Sequence, residues 1–180
     1  MPTLFSLAKR ASYEDFLAVY EPADARAVDS TGSTVLHAAL ANQPVVRAQI
    51  AGRLLDDGAD AAARTGSGAT TAHVLLGRPR LDPETDAPLL ARLFAGGCDP
   101  NATYERFGTP LLTLARQLKF PDSALAPLYD VLLAAPELDL AAPPPPAKST
   151  FTSVQLLGER RAELTRRMIE LLQNRGQPIH

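Results

Sequence analysis

The sequence has very little of the chemistry that marks disulfide-bonded, metal-binding or membrane proteins. Of its 180 residues, one is cysteine, three are histidine and none is tryptophan. The lone Cys98 excludes an intrachain disulfide, which fits a reducing compartment. No apolar run approaches the roughly 18 residues that a membrane helix needs. We therefore expect a fold without disulfide bonds or membrane-spanning helices.

Charge of one sign is also missing, because 18 basic side chains face 20 acidic ones and the formal net charge is −2. Nucleic-acid binding draws on an excess of positive charge, so no such partner is expected. Lys9 and Arg10 interrupt the apolar stretch that a secretory signal peptide would need. These features favour a cytoplasmic protein that binds neither nucleic acid nor a membrane. Only three of the basic residues are lysine, and alanine and proline are abundant, which favours a bacterial origin.

The sequence does contain a unit of two short amphipathic helices, clearest over residues 29–60. Gly32 permits a tight turn with a positive φ. Thr34 is a suitable N-cap, and apolar residues follow it at helical spacing. Pro44 cannot continue that helix but suits the first turn of a second one, which Gly58 would end. The pattern predicts a helix–turn–helix followed by a projecting turn.

This unit resembles an ankyrin repeat, whose signature is Thr-Pro-Leu-His-x-Ala in a repeat of about 33 residues. Residues 32–39 read Gly-Ser-Thr-Val-Leu-His-Ala-Ala, with Val35 where proline is usual. Residues 54–60 read Leu-Leu-Asp-Asp-Gly-Ala-Asp, close to the Gly-Ala-Asp ending of the family. The resemblance implies an all-α solenoid, in which each helical pair is too small to fold alone and stacks on its neighbours.

Four other segments match the unit to decreasing degrees. Thr70 lies 36 residues after Thr34, Thr109 lies 39 residues after Thr70, and a further copy is expected to start near Thr152. We predict a single all-α domain, an ankyrin solenoid of about four to five repeats with degenerate terminal caps. The expected boundaries are 1–28 for the N-terminal cap repeat, 29–63, 64–102 and 103–146 for the central repeats, and 147–180 for the C-terminal cap repeat.

The segments between and after these motifs carry more specific expectations. Long second helices are predicted over about 123–135 and over 162–174. The stretch 78–86 is predicted to be a polar surface loop, with Asp86 part of a solvated acidic run that lacks the ligand number of a calcium loop. The proline run 143–146 is interpreted as a rigid spacer, with a ligand for a proline-reading domain as the alternative.

His37 and His73 invite a metal or catalytic interpretation, with Cys98 or Asp60 as a further ligand. However, both histidines hold the same position of successive repeats, where the resemblance implies a hydrogen bond to backbone between repeats. A zinc site usually includes a closely spaced pair of Cys or His ligands, which the sequence lacks. We expect structural histidines, a packed Cys98, no metal, no cofactor and no enzymatic activity. An enzyme or metalloprotein that uses His37, His73 and Cys98 is the competing class.

The resemblance also implies that partners bind to the turns and to the exposed side of the first helix of each repeat. Tyr104 and Phe107 flank Arg106 in one turn, a composition typical of interface hot spots, unless Phe107 folds back onto its own repeat. Arg78 and Arg80 beside Arg116 form either a basic patch for an acidic partner or a solvated edge. The candidate binding residues in the turns are Ser30, Thr31, Ser33, Ser67, Ala69, Tyr104, Glu105, Arg106, Phe107, Lys148 and Phe151. Those on the helices are Asn42, Arg78, Arg116, Gln117, Glu159 and Arg160.

The function that follows is a non-enzymatic protein–protein interaction module, monomeric when free, that binds another protein on a concave face. The most specific expectation is a bacterial immunity or inhibitor protein that neutralises a cognate toxin, because the chain is short and carries no effector domain. The alternative within this class is a scaffold or chaperone-like partner of a cytosolic enzyme.

Overall fold

A computed structural model describes residues 2–143 and 146–177. Pro144 and Pro145 of the expected spacer lie outside the described residues, as does the side chain of Arg106. Within the described ranges the regular structure is helical, and backbone pairing is limited to isolated bridges in turns. The all-α prediction is confirmed.

Short and long helices alternate along most of the chain. The α-helices of the described residues are α1 Leu4–Arg10, α2 Tyr13–Leu17, α3 Val35–Leu40, α4 Pro44–Asp56, α5 Thr71–Leu76, α6 Pro83–Ala95, α7 Pro110–Ala115, α8 Ala126–Ala134, α9 Thr150–Gln155 and α10 Ala162–Asn174. Short 3₁₀ helices cover Pro22–Arg26, Glu105–Phe107, Asp122–Leu125 and Gly158–Arg161.

The chain divides into two compact units, one up to Asp99 and the other from Pro100. In the first unit, α1, α3 and α5 pack side by side and form what we call the inner layer. The helices α2, α4 and α6 pack in the same order and form the outer layer. Leu36 and Leu75 from the inner layer and Ile50 from the outer layer are fully buried. Burial of this apolar surface is what holds such short helices in place, because they are too short to be stable alone.

The second unit repeats this arrangement with fewer helices. There α7 packs against α9, and α8 packs against α10. Its core includes Leu111, Tyr129 and Met168, all fully buried. Tyr129 keeps its hydroxyl satisfied by donating to Asp122 Oδ1 at 2.8 Å, as a buried phenol requires.

The short helices begin at hydroxyl N-caps, as the sequence indicated for three of them. Thr34, Thr70 and Thr109 each accept a hydrogen bond from the amide three residues ahead, at 3.3, 3.3 and 3.4 Å. The predicted start of the last copy near Thr152 is three residues late. Ser149 is the N-cap of α9 and accepts from the Thr152 amide at 3.1 Å, so Thr152 lies in the first helical turn.

The surface loop predicted over 78–86 is shorter than expected, because α6 already begins at Pro83. Asp86 is therefore helical, and its place in a solvated acidic run was a wrong prediction. Asp86 and Arg47 of α4 are both 0 % exposed. Arg47 Nε donates to Asp86 Oδ1 at 2.7 Å, and Arg47 Nη2 donates to the other carboxylate oxygen. Nη1 and Nη2 also donate to the carbonyls of Asn42 and Arg80 at 3.2 and 2.8 Å, so every nitrogen of the buried guanidinium makes a hydrogen bond.

A second buried arginine holds the long helix of the second unit. The predicted helix 162–174 matches α10, and Arg161 stands just before it, 1 % exposed. Its guanidinium donates to the carbonyls of Ala115 and Gln117 at 2.7 and 2.9 Å. Asp122 then caps α10 by accepting from the Glu163 amide at 2.8 Å. The helix predicted over 123–135 is a 3₁₀ turn followed by α8.

Candidate protein-binding surface

Two neighbouring turns project in front of the inner layer of the first unit. They cover 28–34 and 64–70, and each is closed by an antiparallel bridge between its first and last residue. The Gly66 amide donates to the Thr31 carbonyl at 3.2 Å, so the turns contact each other directly. A Cβ at Gly66 would lie 2.2 Å from that carbonyl oxygen. Glycine is required here because the backbones approach too closely for any side chain.

Asp29 organises the first of these turns. Its Oδ1 accepts hydrogen bonds from the Thr31 amide at 2.8 Å, the Thr31 hydroxyl at 2.6 Å and the Ser33 amide at 3.0 Å. These bonds, the Thr31 hydroxyl first, lower the pKa of Asp29 below its ordinary value. The turn therefore presents a fixed negative charge at neutral pH.

His37 and His73 sit behind the turns, at the third residue of α3 and α5. The Thr34 amide and hydroxyl lie 3.1 and 2.8 Å from His37 Nδ1, and Thr70 is placed in the same way around His73 Nδ1, at 3.3 and 2.8 Å. Because the amide donates to it, Nδ1 is the unprotonated nitrogen. These Nδ1 bonds stay at the head of one helix, so the bond to backbone that the resemblance implies between repeats would have to come from Nε2.

Burial also keeps His37 neutral. It lowers the pKa of this histidine below 6.5, against smaller opposing effects of the Ala63 backbone and of the charges of Asp29 and Asp60. His37 Nε2 makes no hydrogen bond of ordinary geometry within the described part of the chain, although the Ala63 backbone is near enough to raise the pKa. Among the described residues, no three or more His, Cys, Asp or Glu side chains are grouped as metal ligands. Cys98 is buried, as predicted.

A pocket of about 520 Å³ opens between the turn 28–34 and the inner layer of the first unit. We call it the N-terminal pocket. Its floor includes Ala38 and Ala41 of the α3 segment and Val74 of α5. Small side chains on the floor leave the space open, and their methyl groups make it apolar. The polar residues of its wall include Lys9, Arg10, Asp29, Thr31, Ser33 and Arg78.

The N-terminal pocket is basic, whereas the unit that contains it is acidic. The first unit carries nine basic and twelve acidic side chains, yet the pocket is lined by three cations and one carboxylate. Lys9 and Arg10 are exposed in the last turn of α1, and Arg78 is half-buried just after α5. Burial, and secondarily the charge of Arg47, lowers the pKa of Arg78, but an arginine remains charged at neutral pH.

The structure brings three of the predicted binding residues together in this pocket: Thr31, Ser33 and Arg78. Ser30 and Ser67 are exposed in the turns, outside its lining. Arg80 is exposed but does not line the pocket.

Three predicted binding residues are buried and leave the candidate surface. Asn42, 7 % exposed, donates through Nδ2 to the carbonyls of Ala8 and Ala11 at 3.0 and 3.1 Å, so it joins α1 to α3. Ala69 is 6 % exposed. Phe151 is 3 % exposed, because the early start of α9 turns it into the core.

In the second unit, Tyr104 and Phe107 stack with their ring centroids 5.5 Å apart and their planes at 9°. Phe107 thus folds onto its own turn while 36 % of it remains exposed. Lys148 lines a second pocket, of about 460 Å³ and mainly apolar, next to Phe151. The other predicted binding residues of this unit are exposed or half-buried: Glu105, Arg116, Gln117, Glu159 and Arg160. For Arg106 the structure describes the backbone alone.

Sequence reasoning missed Lys9 and Arg10 as pocket residues. The signal that could have found them is the N-cap of the first helix. Thr3 accepts from the Ser6 amide at 3.2 Å, just as Thr34 and Thr70 cap α3 and α5. Counting seven residues from Thr3 gives Arg10, and the same count from Thr34 gives Ala41, another pocket residue.

Neither a protein-family model nor a curated protein matches the chain. Among solved structures, the fold is similar to that of a functionally unknown protein from Leptotrichia buccalis C-1013-b, with a TM-score of 0.75 and 20 % sequence identity. The match covers 99 % of this chain and 97 % of that one, and at this identity it shows the fold alone. No helix within the described residues combines the length and apolarity needed to cross a membrane.

Proposed function

We propose that this chain is an ankyrin-repeat protein without enzymatic activity, and that it acts by binding another protein. The sequence motif at 32–39 and its copies support the family. The hydroxyl N-caps support it as well, because they recur at the head of the short helices from Thr3 to Ser149. Side-by-side packing of helical pairs in two layers is the arrangement that such repeats adopt.

The observation that carries the proposal is the open N-terminal pocket in front of the inner layer. It lies where turns and short helices meet, which is the surface that repeat proteins use for partners. Its volume falls within the roughly 300–1,000 Å³ typical of binding sites, and it joins an apolar floor to a charged wall. Such a lining suits a protruding part of another protein.

Within this class, the finer proposal is an immunity-type inhibitor that covers a bacterial toxin. A scaffold for a cytosolic enzyme is the alternative. The inhibitor proposal predicts that a neighbouring gene encodes a toxin, and the test is co-expression with that gene product, with growth rescue and direct binding of the purified proteins as the two measurements. Rescue with binding supports the inhibitor, and binding without rescue supports the scaffold. Absence of both removes the inhibitor proposal.

A matched pair of substitutions tests whether the pocket is the binding surface. Ala38→Phe fills the floor of the pocket, whereas Gln49→Phe adds the same ring to an exposed position of α4 in the outer layer. We expect the first change to weaken partner binding about tenfold or more, which corresponds to about 1.4 kcal/mol, and the second to leave it unchanged. Equal affinity of both variants would show that the partner binds elsewhere.

A further inference from the structure

We propose that the N-terminal pocket receives an acidic segment of the partner protein, with an Asp or Glu side chain held by Lys9, Arg10 and Arg78 and an adjacent apolar side chain on the floor. This inference rests on the proposed protein-binding function and adds the chemistry of the partner.

The first argument is the local reversal of charge. Acidic side chains outnumber basic ones in the first unit, so a pocket lined at random would carry more acids than bases. This pocket is instead lined by three cations and one carboxylate. Lys9 and Arg10 form no ion pair with any residue that the structure describes, so their charges are available to a ligand. Two of the three are arginines, whose planar fork binds a carboxylate in a bidentate way.

The second argument is the position of the one acid. Asp29 lies on the turn side of the pocket and is held there by Thr31 and Ser33. A ligand carboxylate would be repelled from the turn and attracted towards Lys9 and Arg10 on α1. The pocket therefore specifies an orientation as well as a charge.

The apolar floor argues for a protein segment over other anions. Ala38, Ala41 and Val74 offer methyl groups that a phosphate or a sugar cannot use. Three cations in one recess are also few for a nucleic acid, which is bound through many phosphate contacts. A membrane surface would require a broad basic face, whereas the first unit as a whole is acidic.

The experiment is a selection from a random twelve-residue peptide library on the full-length chain, followed by affinity measurement of the enriched peptides by fluorescence anisotropy. We expect enrichment of peptides that place Asp or Glu next to an apolar residue. The variant Lys9→Glu/Arg10→Glu/Arg78→Glu should lose about tenfold or more in affinity for them, whereas Arg80→Glu/Lys119→Glu/Arg160→Glu, with the same change in net charge, should keep it. Replacement of the peptide acids by Gln or Asn should cost a similar factor.

Neutral replacements guard against an effect on folding. Lys9→Gln/Arg10→Gln, which changes only the two exposed cations of the pocket, should keep the thermal midpoint of the wild type and still weaken binding. Enriched peptides without an acidic excess, no enrichment at all, or equal losses in the two charge-reversed triples would overturn the inference. Tight binding of single-stranded DNA or of vesicles with anionic phosphatidylserine, abolished by the pocket triple while acidic peptides fail to bind, would overturn it as well.

Different experimental results would contradict the acidic-segment inference and the proposed protein-binding function. If the partner in the co-expression test binds the charge-reversed pocket triple as well as the wild type, the acidic segment is wrong and protein binding stands. If no protein partner binds while the selected acidic peptides do, the pocket chemistry stands and the inhibitor proposal is removed.

Discussion

At the scale of single residues, the structure turns two apparent surface charges into core groups. Arg47 interrupts the apolar stripe of α4, and Asp86 belongs to a run of acids. Neither has a partner nearby in the sequence, because they are 39 residues apart. Only the packing of α4 on α6 brings them together, so sequence patterning could not predict the pair.

The same two helices also carry an exposed ion pair, which makes a matched test of burial possible. Asp56 of α4 and Arg92 of α6 are 2.7 Å apart, with their side chains 66 % and 45 % exposed. We expect Asp86→Ala to lower the free energy of unfolding by about 3–5 kcal/mol, because it leaves Arg47 buried without its counter-ion. Asp56→Ala should cost less than about 1 kcal/mol. Urea unfolding of both variants checks this, and similar costs would mean that the Arg47–Asp86 pair is hydrated in solution.

His37 should make stability depend on pH in the mildly acidic range. Its folded-state pKa is lowered below 6.5 by burial, so the unfolded chain binds a proton first as the pH falls. Stability is then unaffected above about pH 7 and is lost as the pH drops through 6.5 towards the folded-state value, with a slope of at most about 1.4 kcal/mol per pH unit from this residue.

The variant His37→Gln isolates this contribution, because Gln at the same place can still form a capping box with Thr34. Urea unfolding between pH 5 and pH 8 should give a flatter dependence for the variant than for the wild type, even if the variant is less stable throughout. Parallel curves for the two proteins would show that another group titrates. An NMR titration of the His37 ring gives the folded-state pKa independently.

At the scale of elements, local signals predicted helices well and connections poorly. The helix 162–174 was predicted with its observed ends, and the caps Thr34, Thr70 and Thr109 were predicted too. These features depend on hydroxyl caps and on apolar spacing, which are visible in the sequence. The start of α6 was missed because Pro83 was interpreted as a loop residue, although proline is also favoured in a first helical turn.

Two glycines in different elements should respond to the same substitution with opposite signs. Gly66→Ala forces a Cβ to 2.2 Å from the Thr31 carbonyl oxygen, so the two turns must separate. The expected cost is about 1–3 kcal/mol. Gly52→Ala in α4 meets only the flexible end of Arg92, at 3.4 Å, and should stabilise the protein by about 0.5–1 kcal/mol through helix propensity.

Urea unfolding at neutral pH measures both glycine effects. Gly66→Ala should also weaken ligand binding, since Thr31 lines the N-terminal pocket, and Gly52→Ala should not. A Gly66→Ala protein as stable as the wild type would mean that the turns are not in contact in solution.

At the scale of the whole molecule, the candidate surface was predictable only in part. The resemblance selected turn and inner-helix positions, and Thr31, Ser33 and Arg78 do line one pocket. It could not reveal that Asn42 and Phe151 are buried, because their exposure depends on how a neighbouring helix packs and on where α9 begins. It also passed over Lys9 and Arg10, whose helix belongs to the degenerate N-terminal cap repeat.

The near balance of charge over the whole chain predicts where salt acts on binding. With a formal net charge of −2, the molecule exerts little long-range attraction on an acidic ligand. The cations of the N-terminal pocket act only at short range, within a Debye length of about 10 Å at 0.1 M salt. When NaCl is raised from about 0.05 M to about 0.5 M, we expect the dissociation rate of a selected acidic peptide to rise about tenfold. Its association rate should change less than about threefold.

Stopped-flow anisotropy measures both rates with the wild type and with Lys9→Gln/Arg10→Gln/Arg78→Gln. The neutral variant should dissociate faster at low salt and show little further increase as salt is added, because the attraction that salt screens is already gone. A steep fall of the association rate with salt in the wild type would instead indicate steering by a wider basic surface. A dissociation rate that does not depend on salt concentration would mean that the three cations do not bind the peptide, because salt screens contacts between partly exposed charges.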